Sequence, residues 1–288
     1  MRYVGHVIRP PSEADSLILQ ATIGCTHNRC TFCGTYRDQP FRIKEEKELF
    51  EDIALAKRHF GRVRRVFLAD GDAIVISTER LERLLLHLKE TFPEMQRVSI
   101  YARATDILYK SVEELKLLSD LGLKTLYVGL ESGSDEVLGI IDKGYTRIEA
   151  VKGCLRAQEA GMKLSAIILL GLGGKTLSKI HAEESARMIN EINPRFLSVL
   201  TLMILKNTPL YQMIKKKEFE LPEPLGMLEE LALFLESLQV DYCIFRSNHA
   251  SNYLPLSGTL NKDRERLLET VQGAIRFGQL KPEFLRGL

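Results

Sequence analysis

Short runs of β-branched and aromatic residues alternate with longer segments of helical period along most of this chain. That alternation constrains the fold more tightly than any single motif, because it is the pattern of βα units feeding a parallel sheet. The runs "SLILQATI" (16 to 23), "RRVFLAD" (64 to 70), "RVSIYA" (97 to 102), "KTLYVGL" (124 to 130), "KLSAIILL" (163 to 170) and "FLSVLTLM" (196 to 203) read as six strands. Helices are expected around 45 to 60, 77 to 91, 111 to 121, 134 to 142 with 147 to 160, and 177 to 192. The last has Thr176 or Ser178 as N-cap candidates and "NP" at 193 to 194 as a stop. Each unit is long enough for a right-handed crossover between parallel strands.

From about residue 207 the rhythm changes. "LPEPLG" (221 to 226) punctuates the chain, "MLEELALFLESLQV" (227 to 240) reads as an amphipathic helix, and "KDRERLLETVQGAIRFG" (262 to 278) closes as another. Between them, the apolar "YCIF" (242 to 245) leads into the polar run "RSNHASNY" (246 to 253). Two regions are therefore expected: 1–206, holding the βα units, and 207–288, a mostly helical extension packed on them.

Composition narrows the function classes. The 288 residues carry a net charge of +2, which gives no electrostatic argument for nucleic acid or an anionic membrane as partner. The N-terminus lacks the apolar run of a signal peptide, and the most apolar stretch, 164 to 174, is too short to span a bilayer. A cytoplasmic location follows as an expectation, and there a cysteine cluster is more often a metal or redox site than a disulfide framework.

Such a cluster is present. Cys25, Cys30 and Cys33 form C-x4-C-x2-C in the loop after the first strand, within "GCTHNRCTFCGTY". Thiolates so spaced on a turning loop suit zinc or an iron-sulfur cluster. His27 offers a fourth ligand for a closed Cys3His zinc site, whereas a cubane held by three cysteines keeps one iron open for chemistry. Cys154 and Cys243 stand apart and read as small buried hydrophobes.

"CTHNRCTFC", with the aromatic Phe32 just before its last cysteine, resembles the cluster loop of the radical S-adenosylmethionine (SAM) superfamily. The commonest pattern there is C-x3-C-x2-C, so this loop carries one extra residue. "YVGLESGSDEVLGIIDKGYT" (127 to 146) is similar to the corresponding stretch of the elongator, MiaB and NifB-type core of that superfamily. "ADGDA" (69 to 73), "YARATD" (101 to 106), "ILLGLGGKT" (168 to 176) and "TLMILKNTPLY" (201 to 211) fall at the other strand ends, where a βα barrel builds its working face.

The resemblance implies an α/β fold, a partial (β/α)6 barrel with the C-terminal extension added, and an enzyme using one 4Fe-4S cluster and SAM. It implies Cys25, Cys30 and Cys33 as metal ligands, with SAM contacts from Phe32, Asp70, Gly71, Asp72, Arg103, Glu131, Lys143 and Gly171. Reductive cleavage of SAM would give a 5′-deoxyadenosyl radical that takes a hydrogen atom from a small-molecule or peptide substrate. A one-electron donor such as flavodoxin or ferredoxin is the implied partner, and oxygen sensitivity is expected. A macromolecular substrate such as tRNA is the alternative within the superfamily, and a zinc-stabilised barrel the alternative outside it. His249 and Tyr253, in the polar run, are the candidates for substrate contact or hydrogen relay, against the reading that this loop satisfies its own backbone. His27 is expected in a loop hydrogen bond.

Overall fold

The computed structural model describes residues 1–287; Leu288, the last residue of the expected extension, lies outside the described residues. Contacts divide the chain into two compact units, each discontinuous in sequence. The first comprises Met1–Asn28, Thr35–Val128 and Lys152–Leu164. The second comprises Arg29–Gly34, Gly129–Val151 and the chain from Ser165 onward. The units thus divide the chain elsewhere than at 206/207, and residues 207–287 fall in the second.

Elements follow in chain order. Strands β1 (Leu17–Gln20), β2 (Thr22–Ile23) and β3 (Arg42–Ile43) precede helix α1 (Glu46–Phe60), β4 (Arg65–Ala69) and α2 (Thr78–Thr91). Next come β5 (Arg97–Ala102), α3 (Ala104–Ile107), α4 (Val112–Asp120), β6 (Leu123–Glu131), α5 (Asp135–Ile140) and α6 (Arg147–Glu159). The remainder is β7 (Lys163–Leu170), α7 (Gly174–Ile192), β8 (Phe196–Thr201), α8 (Pro209–Lys215), α9 (Pro224–Ser237), β9 (Ile244–Ser247), β10 (Leu256–Thr259) and α10 (Leu260–Phe277). The main sheet has eight strands in the order β1-β4-β5-β6-β7-β8-β9-β10, and β2 pairs only with β3.

In the first unit β1, β4, β5 and β6 pair in parallel, with Leu17 opposite Val66, Val66 opposite Val98 and Ile100 opposite Leu126. The helices between them start where side chains can cap them. Ser77 accepts from the Arg80 amide, and Ser111 and Glu114 form a reciprocal capping box. One face of the sheet is filled by Phe67, whose ring meets Tyr101 and Tyr127 edge-on at centroid distances of 4.9 and 5.6 Å. Beside these rings the buried Glu13 accepts from Arg97 (2.9 Å), Ser99 (3.0 Å) and Tyr127 (2.8 Å).

In the second unit β7 pairs with β8 in parallel, Ser165 opposite Phe196 and Leu170 opposite Thr201. The extension continues this sheet: β9 adds to β8 in parallel, and β10 returns antiparallel to β9. The segment expected as a short apolar piece and a polar loop therefore begins as a strand, because Phe245 and Ser247 turn inward while Arg246 points out. Helix α7 starts at Gly174, earlier than expected. Ser178 is not its cap but donates to the Glu230 carboxylate, which frees the helix to begin at the glycine turn. Helix α9 lies against α7 and α10 and buries Met227, Leu228, Leu231, Phe234 and Leu235.

Phe234 is fully buried, so Phe234→Ala is expected to lower the stability of the cooperative transition by about 3–5 kcal/mol. Urea denaturation followed by circular dichroism checks this. A separate early transition, with the main one unmoved, would mark the extension as an independent domain.

Candidate functional site

The cluster loop begins where β1 ends, and in the first unit the turn after β4 holds it. Gly71 donates its amide to the Gly24 carbonyl at 3.2 Å. A Cβ on Gly71 would stand 2.8 Å from the Cys25 Cβ and 2.9 Å from the Tyr36 ring, so only glycine permits this approach. Either side of it is a fully buried aspartate. Asp70 accepts from Gln20 Nε2 at 2.8 Å and from the Tyr36 hydroxyl at 3.4 Å. Burial pushes its pKa up, against these hydrogen bonds. Asn28, at φ 45°, donates to the Tyr36 carbonyl at 2.7 Å and closes the loop upon itself.

Asp72 accepts from Thr26 Oγ1 at 2.7 Å and from the Arg103 amide at 3.1 Å. The same Thr26 hydroxyl lies 3.2 Å from Asp106 Oδ2. A hydroxyl has one proton to give, so two buried carboxyls meet at a single donor. Burial first, and Asp106 second, hold the Asp72 pKa well above its ordinary 3.8. The Arg103 guanidinium is 3.5 Å from Asp106 Oδ1. Asp72 and Arg103, expected at the cofactor, are thus tied into the support of the cluster loop, and Asp106, the last residue of the "YARATD" stretch, was not singled out there.

In the second unit the stretch from 29 to 34 is held separately. Thr31 donates its amide to the Ile141 carbonyl (2.9 Å) and accepts from the Leu210 amide (3.0 Å). Asn207 donates to the Gly34 carbonyl at 3.1 Å, and Arg29 pairs with Asp142 at 3.7 Å. Phe32 lies half-buried on this turn.

All three cysteines of the loop are half-buried and free of disulfides. Among the described residues no three His, Cys, Asp or Glu side chains are grouped as ligands of one metal ion. Closed zinc needs four donors on one ion, whereas in a cubane each cysteine holds a different iron. Three soft donors outside any disulfide on one short loop fit the cubane. His27 is half-buried on the same loop. Cys154 and Cys243 are fully buried, with thiol pKa values pushed up to about 12 by burial, which makes them inert.

Glu131 ends β6 at φ 67°, a left-handed conformation that costs a non-glycine residue about 1–2 kcal/mol. Its carboxylate accepts from Lys143 Nζ at 3.1 Å, and both side chains are nearly buried. A Cβ on Gly129 would fall 2.3 Å from Glu131 Oε1, so glycine leaves the room in which the carboxylate sits. Burial works against the Lys143 ammonium, yet Glu131, then Tyr145 and Cys30, raise its pKa above the ordinary value. Lys143, expected at the cofactor, is here paired with Glu131.

Gly171 (φ 89°) donates its amide to Glu230 Oε1 at 2.7 Å, so this N–H is engaged within the protein. Glu230, the fully buried His181 and Ser132 form a polar chain that no motif announced. The polar run 246–253 satisfies itself. His249 Nδ1 accepts from the Ser251 amide at 3.1 Å, and burial, with Lys281 adding, lowers the His249 pKa. Asn252 donates to the Val199 carbonyl at 2.8 Å. Tyr253 is buried, donates to Glu283 at 2.7 Å, and lies under the Arg286 guanidinium at 4.0 Å; burial and Glu283 push its pKa up to about 12.

A parallel α/β fold with three thiols outside any disulfide in the loop after β2 is the mark of the barrel enzymes that carry an iron-sulfur centre on the strand-end face. The chain belongs to the radical SAM superfamily, whose model matches residues 19–187, more than half of its length. The superfamily uses a 4Fe-4S cluster and SAM. The chain is 25% identical over 178 residues to the heme chaperone HemW of Bacillus subtilis (strain 168), covering 62% of this chain and 46% of that one. It spans half or less of the length of the curated relatives it matches. Methylornithine synthase (PylB) is similar in structure at TM-score 0.54 and 17% identity, over 93% of this chain and 82% of that chain. Coproporphyrinogen III oxidase (HemN) from Escherichia coli is similar at TM-score 0.56 and 19% identity, over 77% and 52%. These likenesses show the fold, the partial α/β barrel that the sequence implied.

Two outcomes are expected of this geometry. Folding raises the Asp72 pKa, so its contribution to stability is complete below 3.8 and is lost as pH rises through the raised value. Asp106→Asn removes the like charge and should flatten this decline, seen as a smaller loss of melting temperature between pH 5 and pH 8. Lys143→Met leaves the Glu131 charge buried without its cation and should cost about 3–5 kcal/mol at pH 7. The raised Lys143 pKa keeps the pair intact through neutral pH, and its stabilisation fades only as pH rises through that value. Denaturant midpoints at pH 7 and pH 9 check this.

Proposed function

We propose that the chain is a single-cluster radical SAM enzyme in which Cys25, Cys30 and Cys33 hold a 4Fe-4S cluster, acting on a small-molecule or peptide substrate. The observation that carries this is the cluster loop: three thiols outside any disulfide, with Gly71, Asp70 and Asp72 holding the stretch around Cys25, and Ile141, Asn207 and Leu210 holding the stretch 29–34. A cluster of this kind, when bound, supplies the electron for reductive cleavage of SAM to methionine and a 5′-deoxyadenosyl radical.

The protein's own part is to position and to shield. Gly71 brings backbone close to Cys25, and the buried Asp70 and Asp72 keep that turn from moving by satisfying Gln20, Tyr36, Thr26 and the Arg103 amide. Glu131 and Lys143 present a paired carboxylate and ammonium beside Cys30, a polar station suited to the amino and carboxylate ends of an amino acid. The net charge of +2 gives no electrostatic argument for a nucleic-acid substrate, and five cysteines outside any disulfide suit a reducing, cytoplasmic location. Among the described residues no helix is long and apolar enough to cross a membrane.

Anaerobic reconstitution should give brown protein with about four irons and matching sulfide per chain. Adding dithionite and SAM should then release 5′-deoxyadenosine. Cys25→Ala, Cys30→Ala and Cys33→Ala should each abolish that product. An intact cluster that yields none, or colourless protein holding one zinc, would overturn the reading.

A further inference from the structure

We infer that Glu230, on helix α9, is a positioning residue for two strand-end turns, 171–174 and 132–134, and thereby sets the affinity for SAM. This rests on the radical SAM reading above. Glu230 is 2% exposed, and its partners are an amide, a hydroxyl and an imidazole. Oε1 accepts from the Gly171 amide at 2.7 Å and lies 3.6 Å from His181 Nε2, while Oε2 accepts from the Ser178 hydroxyl. The named donors carry no fixed positive charge. A buried carboxylate so held adds less stability than a well-packed apolar side chain of its size would, so its use lies in fixing the groups that donate to it.

The imidazole extends that hold to the second turn. His181 Nε2 lies 3.2 Å from the Leu169 carbonyl, which can only accept, so Nε2 carries the proton. Nδ1 is then free to accept from the Ser132 hydroxyl at 2.8 Å. The Ser132 oxygen in turn accepts from the Ser134 amide at 3.1 Å. Gly133 donates to Ser185 Oγ at 2.9 Å, and a Cβ there would stand 2.1 Å from the Glu184 carbonyl, so the turn presses directly upon α7. Ser132 immediately follows Glu131, whose strained backbone aims its carboxylate at Lys143. Glu230 is thus hydrogen-bonded to the turn after β7 directly and, through Ser178, to helix α7, whose His181 holds the turn after β6. Both turns are places where the superfamily resemblance puts SAM contacts, and Glu230 lies beyond the matched residues 19–187.

The test is SAM binding to the reconstituted full chain without reductant, by isothermal titration calorimetry, so that no turnover enters the readout. Glu230→Met keeps the volume of the side chain and removes the acceptor for Gly171. It should weaken SAM binding by about tenfold, the scale of a buried hydrogen bond left unmade. Hydrogen exchange should rise in the peptide spanning 169–176. Glu230→Gln retains an acceptor for Gly171 and should restore most of the affinity, which a purely structural role in seating α9 would not require. Folded Glu230→Met that binds SAM as the wild type does overturns the inference. Should that variant fail to fold, Ser178→Ala removes the other hydrogen bond that holds the Glu230 carboxylate, and unchanged affinity there overturns it equally. Wild type that binds no SAM removes the functional reading itself, whereas wild type that binds, with variants unchanged, removes only the role of Glu230.

Discussion

Parallel pairing brings the carboxyl ends of neighbouring strands to one edge of a sheet, and there the backbone leaves its ladder and must find other partners. In this protein buried carboxylates are among those partners, Asp72 for the Arg103 amide and Glu230 for that of Gly171. Asp70 and Asp72 after β4, Glu131 at the end of β6 and Glu230 facing the end of β7 each take donors from the chain around them. Apolar packing gives the sheet its stability, but it is indifferent to shifts of a few tenths of an ångström along a turn. Hydrogen bonds to a fixed carboxylate are directional, so they set where Thr26, the Arg103 amide and Gly171 stand. A reactive centre needs that second kind of order, because its groups must keep their place when a ligand arrives.

The same logic explains where the glycines fall. Gly71 lets backbone pass beside Cys25, and Gly129 leaves the space in which the Glu131 carboxylate meets Lys143. In both cases a methyl group would displace the functional side chain rather than merely strain the backbone. Burying an ion pair gains little in stability, so the Glu131–Lys143 pair is better understood as an arrangement of charge than as a staple. The left-handed backbone of Glu131 has the same character, a conformation of unfavourable energy retained where the chain turns its carboxylate toward its partner.

Much of this was legible in the sequence. The six strands of the βα units could be placed from β-branched runs, since a strand buried on both faces shows itself as a continuous apolar segment. The cysteine spacing and the "GLESGSDE" stretch pointed to the loop and to Glu131 and Lys143 as residues, though not to their pairing with each other. Strands β9 and β10 were not legible, because "IFRS" and "LSGT" are four residues each and become strands through the edge that β8 and β9 offer them. Asp106 and Glu230 were missed for a different reason. Each stands in a helix where an acidic residue ordinarily faces water, and its partner lies 80 positions away in Thr26 or 59 in Gly171. His249 and Tyr253 stood out as candidates for substrate contact because their polar neighbours are dense, and within the protein that density engages His249 with the Ser251 amide and Tyr253 with Glu283.

Glu230 also bears on what the region after residue 206 is for. A helix that only covered α7 would need an apolar stripe, and α9 has one in Leu228, Leu231 and Leu235. It places a carboxylate within that buried face as well, where leucine would pack at lower cost. Strand β9 binds the same region to β8 through backbone hydrogen bonds, so the helix that carries Glu230 is anchored at its far end by the sheet. The turn after β7 thus depends on chain far downstream of it. Sequence change beyond the matched superfamily core can therefore reshape a strand-end turn without altering any residue in it.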